Sequence, residues 1–476
     1  MSSATDLHYL SATDAVGLFR RRELSPRELM EAVIARAERV EPTINAFTDT
    51  FFEEALDAAS TAADAYVKGA NRPLEGLALA VKDEVHIEGQ RATEGSLLFA
   101  DQVADGTDPF AQRLLDAGAI VHARTTTPEF SMAAVTWSLL HGVTRNPWNP
   151  DFTCGGSSGG SGASLAAGSC TLATGSDIAG SIRIPSSLNG LVGFKPPWGR
   201  VPEVWPWNRD AYAASGPLAR TVNDSALFEN AMAGPLETDM FSLEPCQLPE
   251  PVPPARGMRA AVSADLGYFN VSEEVSEALT GAVAALAAAG IECEPVELDW
   301  TDQASSTAMT HLNFLSRSVL TAMLPEGGSD QLTSYIRTWL KDSPEVSVTQ
   351  WWQSWEYGDH MYAEMQGKVF GAGFDALVCP TLTRTDIPAD LGRANNADPA
   401  EWHNQLDFCM TYPFNILGRL PVMSVPIGVA GSTGVPIGMQ IVGPANTDVV
   451  PYRVAASLEA ERGSFFDTHR PALGAA

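Results

Sequence analysis

The sequence predicts an α/β fold. Short continuous apolar runs of strand length alternate with segments of helix length, and this alternation recurs in both halves of the 476-residue chain. The first such run ends in Lys-Asp, as a buried strand does when it delivers polar groups at its end.

Ser25-Pro26-Arg27-Glu28 supplies an N-cap, a proline for the first helical position and a capping-box glutamate. Leu29, Val33, Ala37 and Val40 then share one face, so an amphipathic helix opens the chain. Residues 77–81 (LALAV) are a buried strand ending at Lys82 and Asp83, 108–118 a helix, and 119–123 (AIVHA) the next strand. The pattern returns with a strand at 258–263, a helix at 273–289 and a strand at 291–298. Apolar strand-like runs follow at 376–380, 422–426 and 439–443. The proline-rich stretch 245–254 (PCQLPEPVPP) resembles a linker, but the same grammar continues beyond it, so one domain over 1–476 is expected.

Acidic residues outnumber basic ones 58 to 30, for a formal charge of −28, which argues against a nucleic-acid partner held by a broad basic face. Cysteines 154, 170, 246, 293, 379 and 409 form no CxxC pair, as suits reduced thiols. The N-terminus lacks a basic cluster followed by an apolar core, and the most apolar helical run, 281–290, is too short for a bilayer. A cytoplasmic protein with no membrane partner is expected.

The loop 154–162 (CGGSSGGSG) has three competing readings: linker, phosphate cradle, or a backbone shaped for serine chemistry. The small-residue helix that follows at 163–168 argues against a linker. A Walker loop needs a lysine after its last glycine, yet none lies between Lys82 and Lys195, and Leu165 occupies the position where GxGxxG needs glycine. Residues 155–159 do satisfy GxSxG, the nucleophile elbow, with Ser157 as its serine and His311, His360, His403 and His469 downstream. None of these histidines lies in a loop built to present it. A second small-residue stretch, 174–185 (TGSDIAGSIRIP), gives successive backbone N–H groups at 179–181 room to converge on one point, as an oxyanion hole requires.

Together, these two loops and Gly193-Phe194-Lys195-Pro196 resemble the amidase signature family. The likeness extends to GLALAVKD (76–83), RNPWNP (145–150), GPLARTVND (216–224), PFN (413–415), LPV (420–422) and GVPIGMQ (434–440). It implies a central mixed β-sheet covered by α-helices on both sides, with an N-terminal helical segment over 1–70, a signature core at 155–186 and a helical, Trp-rich insertion at about 300–370. It further implies amide hydrolysis with Ser181 as nucleophile, Ser157 as the bridging serine after a cis peptide bond, and Lys82 as terminal base. Ile178, Ala179, Gly180 and Ser181 would form the oxyanion hole, and no metal or organic cofactor is implied. The chemistry is coherent, because a serine hydroxyl needs a base and a lysine is one only when burial keeps it neutral. Ser158, Asp177 and Arg183 are read as orienting the loop through hydrogen bonds.

The chain departs from the family at Ala179, where glycine is usual, and at Pro197, where threonine is usual. Some members that cleave nylon-type cyclic amides share the alanine. His86 stands where an aspartate is common and is read as structural. Tryptophans concentrate at 198, 205 and 207 and at 339, 351, 352 and 355. Both stretches fall where the family varies its substrate pockets, so Met132, Trp205, Trp207, Trp351, Trp352 and Trp355 are candidate lining of an apolar pocket. The expected partner is a small-molecule amide, carbamate or ester. The alternatives are the ammonia-releasing subunit of a tRNA-dependent amidotransferase, a GxSxG hydrolase with Ser157 as nucleophile, and a silent family member that only binds.

Overall fold

A computed structural model describes residues 7–324, 328–393 and 404–473. The capping box at Ser25 and Glu28 forms as expected and starts the helix Pro26–Ile44. The strand-like runs join one sheet of 11 strands. Across the sheet the order is Phe47–Thr50, Ile120–Thr125, Ala78–Lys82, Leu172–Asp177, Ala214–Ala219, Val192–Lys195, Val422–Val429, Pro436–Val442, Ala376–Pro380, Arg259–Val262 and Glu292–Pro295. Ala78–Lys82 runs parallel to both its neighbours, whereas the middle of the sheet, from Ala214–Ala219 to Pro436–Val442, pairs antiparallel. The sheet is therefore mixed.

Alternation along the strands separates two cores. Ala376 and Val378 pack with Ala260, Met423 and Ile441 beneath the helices Glu273–Ala288 and Val449–Arg462. Leu377 and Cys379 join Ala261, Val422 and Val442 on the opposite face. Strands covered on both faces lose the polar alternation of a half-exposed sheet, which is why these runs are so uniformly apolar. The expected strand 291–298 is shorter, Glu292–Pro295, because it lies at the sheet edge with mostly exposed residues. No helix among the described residues is long and apolar enough to cross a membrane.

The topology sets the site. Ala78–Lys82 and Leu172–Asp177 are parallel neighbours, so Lys82 and Asp177 emerge at the same edge of the sheet. Loops at the carboxyl ends of parallel strands are where α/β sheets hold ligands.

Candidate active site

The Ala78–Lys82 strand drives the Lys82 side chain into a space with no solvent exposure. Its Nζ donates to Ser157 Oγ at 2.8 Å and to Ser176 Oγ at 2.8 Å, and lies 3.0 Å from Glu84 Oε1. Burial pulls the amine below its ordinary pKa, against the opposing charges of Glu84, Asp177 and Glu94. The peptide between Gly156 and Ser157 is cis. Bare residues around it reflect crowding: a Cβ on Gly156 would lie 2.6 Å from the Ala133 carbonyl oxygen, and one on Gly162 2.8 Å from Asn189 Nδ2.

The loop that follows Asp177 is held by a buried ion pair. Arg183 Nη2 donates to Asp177 Oδ1 at 2.8 Å and Arg183 Nε to Asp177 Oδ2 at 2.9 Å, both side chains being wholly buried. Burial alone would raise the Asp177 pKa, but the Arg183 charge and its hydrogen bonds hold it below the usual carboxylate range. Arg183 also donates to Thr411 O, Gln440 Oε1 and Asn415 Oδ1, so the far C-terminal third of the chain fixes this loop. Thr411 Oγ1 donates to Ala179 O at 2.6 Å, and the Ser158 N–H donates to Ser181 O at 3.3 Å. Ser158 Oγ bridges the N–H and C=O of Ser176. Ser158, Asp177 and Arg183 thus hold the two loops together.

One expected oxyanion donor is otherwise engaged. The Gly180 N–H donates to Asp177 Oδ1 at 2.8 Å, because the carboxylate turns back into its own loop. The N–H groups of Ile178, Ala179 and Ser181 make no hydrogen bond among the described residues. They are the donors open to a ligand. Removing the ion pair tests how firmly this geometry is held: Arg183→Met is expected to lower stability by about 3–5 kcal/mol, since it strands the Asp177 charge in the interior. Denaturant unfolding measures it, and a loss under about 1 kcal/mol would show that the loop stands without the pair.

A cavity of about 180 Å³ opens onto Ser157, Ser176, Ile178, Ala179 and Ser181. Phe110, Phe130, Met132, Trp207, Leu312 and Trp339 form its apolar wall, and Glu84, Glu94, Asp108 and Glu203 lie on it too. Burial, reinforced by neighbouring carboxylates, pushes Glu94 up to about 8, and burial likewise pushes Glu203 up to about 8 and raises Asp108. Phe130, Ser131 and Glu94 have φ of 54°, 57° and 50°, left-handed values that non-glycine residues seldom adopt, and all three face the cavity.

The tryptophans divide. Trp207 lines the cavity, as does the buried Trp339, whose indole donates to Asn313 Oδ1 at 2.7 Å. Trp205, Trp351, Trp352 and Trp355 do not line it, which corrects the sequence expectation for these four. Trp205 is 78% exposed beside the cis Pro206 peptide. On the helix Val348–Met365, Trp352 faces outward at 70% exposure, Trp355 is also exposed, and Trp351 stacks on Phe314 at 4.9 Å. Trp351 also meets Trp355 edge to face at 5.9 Å, so this face of the helix packs on Phe314 and on itself and not on the cavity wall.

Among the described residues the structure gives the GxSxG reading no histidine. Nε2 of His311 is bound to Asp210 Oδ1 at 2.8 Å and its ring stacks on Tyr212, while His360 and His469 are exposed. His403 lies outside the described residues. His86 hydrogen-bonds Asp108 through its backbone, and the charged neighbour of Lys82 is Glu84. Glu84 is the residue sequence reasoning missed; its signal was an acidic residue two positions past a lysine that had to be buried.

A family model described as Amidase matches residues 28–450. An acylamidase from Rhodococcus erythropolis is 32% identical over 465 residues, covering 96% of each chain. A glutamyl-tRNA(Gln) amidotransferase subunit from Thermosynechococcus vestitus is 33% identical over 476 residues, covering 92% of this chain and 95% of that one. Among solved structures, a bacterial aryl acylamidase of the amidase signature family superposes with a TM-score of 0.87 at 26% identity, covering 96% of this chain and 97% of that one. A 6-aminohexanoate cyclic dimer hydrolase complexed with substrate gives 0.86 at 28% identity, covering 98% and 99%. With most of its length matched by the family model and its whole sheet shared with these enzymes, the chain belongs to the amidase signature family and is a hydrolase of carbon–nitrogen bonds.

Proposed function

We propose that the enzyme hydrolyses amides bearing an apolar, preferably aryl, group through an acyl-enzyme on Ser181. The carrying observation is the 2.8 Å contact between Ser157 Oγ and the Nζ of a fully buried Lys82. In this reading Lys82 rests neutral. The Ser181 hydroxyl proton passes to Ser157 while the Ser157 proton passes to Lys82, and Ser181 Oγ bonds to the carbonyl carbon. The carbonyl oxygen takes negative charge and accepts from the N–H groups of Ile178, Ala179 and Ser181. Lys82 then returns its proton through Ser157 to the departing amine, and water releases the acid by the same relay. Aryl carbamates and esters present the same carbonyl and are candidate substrates.

The apolar wall of the cavity and the likeness to an acylamidase and an aryl acylamidase support the aryl preference. The comparable identity to an amidotransferase component supports a second reading, ammonia release from glutamine. Assaying an anilide, an aryl carbamate, an aryl ester, acetamide and glutamine separates them. Higher kcat/KM on the aryl substrates is expected, and glutamine turnover that depends on an added partner would favour the second reading. Trp207→Ala is expected to reduce kcat/KM for aryl amides about 10- to 100-fold while leaving acetamide within about twofold, because remote apolar contacts orient the scissile carbonyl. An unchanged ranking would remove Trp207 from substrate recognition.

A further inference from the structure

We propose that Glu84 is a positioning residue that acts as counter-ion to the ammonium formed on Lys82 whenever Ser181 is deprotonated. The proposal rests on the relay described above. A proton that reaches Lys82 creates a positive charge on a side chain with no solvent exposure, and such a charge is costly unless an opposite one stands beside it. Glu84 Oε1 lies 3.0 Å from Lys82 Nζ, in the turn closed by the Val85 N–H donating to Lys82 O at 3.0 Å. Its other oxygen accepts from Ser131 Oγ. Ser131 is delivered by the left-handed pair Phe130–Ser131, an unfavourable backbone that has no role in the sheet.

The other charges around Lys82 are otherwise engaged. Asp177 is committed to Arg183, and Asp83 accepts from Thr93 Oγ1 and the Gly95 N–H. Arg124 points its guanidinium at the carbonyls of Lys82, Asp83 and Val85. Glu94, Asp108 and Glu203 share the cavity, but burial raises all three, whereas Glu84 is kept below the usual carboxylate range because Lys82 and the hydroxyls of Ser131 and Ser176 outweigh its burial. Glu84 thus plays toward Lys82 the part that an aspartate plays toward the histidine of a serine-protease triad, stabilising the cation that forms during acylation.

The sign of the effect is testable. A carboxylate beside an amine favours the protonated amine, so its removal lowers the pH at which Lys82 becomes neutral. In the full-length enzyme, with 4-nitroacetanilide as chromogenic probe, Glu84→Gln is expected to move the acidic limb of kcat/KM to lower pH by about 1–3 units and to reduce the plateau kcat at least about tenfold. Glu84→Asp should restore part of both effects, and Ser131→Ala should move the limb a smaller distance in the same direction. A lowered plateau with an unmoved limb, or a limb moved to higher pH, overturns the proposal. Should Glu84→Gln fail to fold, judged by its thermal transition, the Glu84→Asp and Ser131→Ala profiles carry the test alone, and unmoved limbs in both overturn it. If Lys82→Ala and Ser181→Ala abolish activity while Glu84→Gln leaves the limb in place, only the counter-ion role falls; if those two variants stay active, the relay itself is wrong.

Discussion

Lys82→Ala is expected to lower kcat by about 10⁴-fold, the loss typical when a serine enzyme is deprived of its general base. The reason is local. Ser157 Oγ has Lys82 Nζ at 2.8 Å, and with the amine gone what remains of that contact is its ion-pair partner Glu84, a carboxylate tied to Ser131. The wild-type profile should show the same dependence: because burial lowers the Lys82 pKa, the neutral base appears as pH rises through that lowered value, and kcat/KM should climb with it. Stability has a matching sign. Between the lowered folded pKa and the ordinary unfolded one, the unfolded chain binds the extra proton, so the folded state gains stability as pH increases across that window. Lys82→Met, which fills the same space without charge, separates catalysis from packing. Circular dichroism and the thermal midpoint of both variants report the fold, and activity near wild type in a folded Lys82→Met would overturn the base assignment.

Legibility of the fold followed burial. The strands Ala376–Pro380, Val422–Val429 and Pro436–Val442 are apolar because helices cover both faces, and they stand out in the sequence. Leu172–Asp177 and Ala214–Ala219 sit at the heart of the sheet yet read as LATGSD and ASGPLA, with no strand-like pattern. Packing explains them: a Cβ on Gly175 would lie 3.0 Å from Ile182 Cγ1, and one on Gly216 3.1 Å from Ile182 Cδ1, so the loop that follows Asp177 presses directly on both backbones. A strand that must admit a loop so closely gives up the side chains by which a strand is recognised.

The residues of the proposed relay stand out in the sequence for the opposite reason, since Lys82, Ser157 and Ser181 each lie in a local pattern with its own signature. What holds them was not. Thr411, Asn415 and Gln440 reach the loop 177–183 from more than 200 residues away, and nothing in their local sequence names Asp177, Ala179 or Arg183 as partner. The tryptophans show the same limit on the surface of a helix: 351, 352 and 355 share one face, and nothing in their spacing says that this face meets Phe314 and solvent instead of the cavity.

Ser181→Ala should abolish turnover, with kcat reduced by about 10⁵–10⁶-fold, because no other hydroxyl can form the acyl bond while N–H donors flank it. Among the serines on the cavity wall, Ser157 is the competitor that the GxSxG pattern would choose. The geometry argues against it. Ser157 Oγ is engaged by the buried lysine, whereas Ser181 lies in the loop whose Ile178 and Ala179 N–H groups are open to a carbonyl oxygen. A nucleophile must have its oxyanion donors within reach of the same carbonyl, and Ser181 carries one of them in its own backbone. Treatment of the wild-type enzyme with an aryl sulfonyl fluoride should therefore add one sulfonyl group, with loss of fluoride, at Ser181, and peptide mapping by mass spectrometry locates it. Ser181→Ala should remain unlabelled and fully folded, and Ser157→Ala should label at Ser181 more slowly because its proton has lost the bridge to Lys82. An adduct on Ser157 in the wild-type enzyme, retained in Ser181→Ala, would transfer the nucleophile's role to Ser157 and leave the loop 178–181 without a catalytic function.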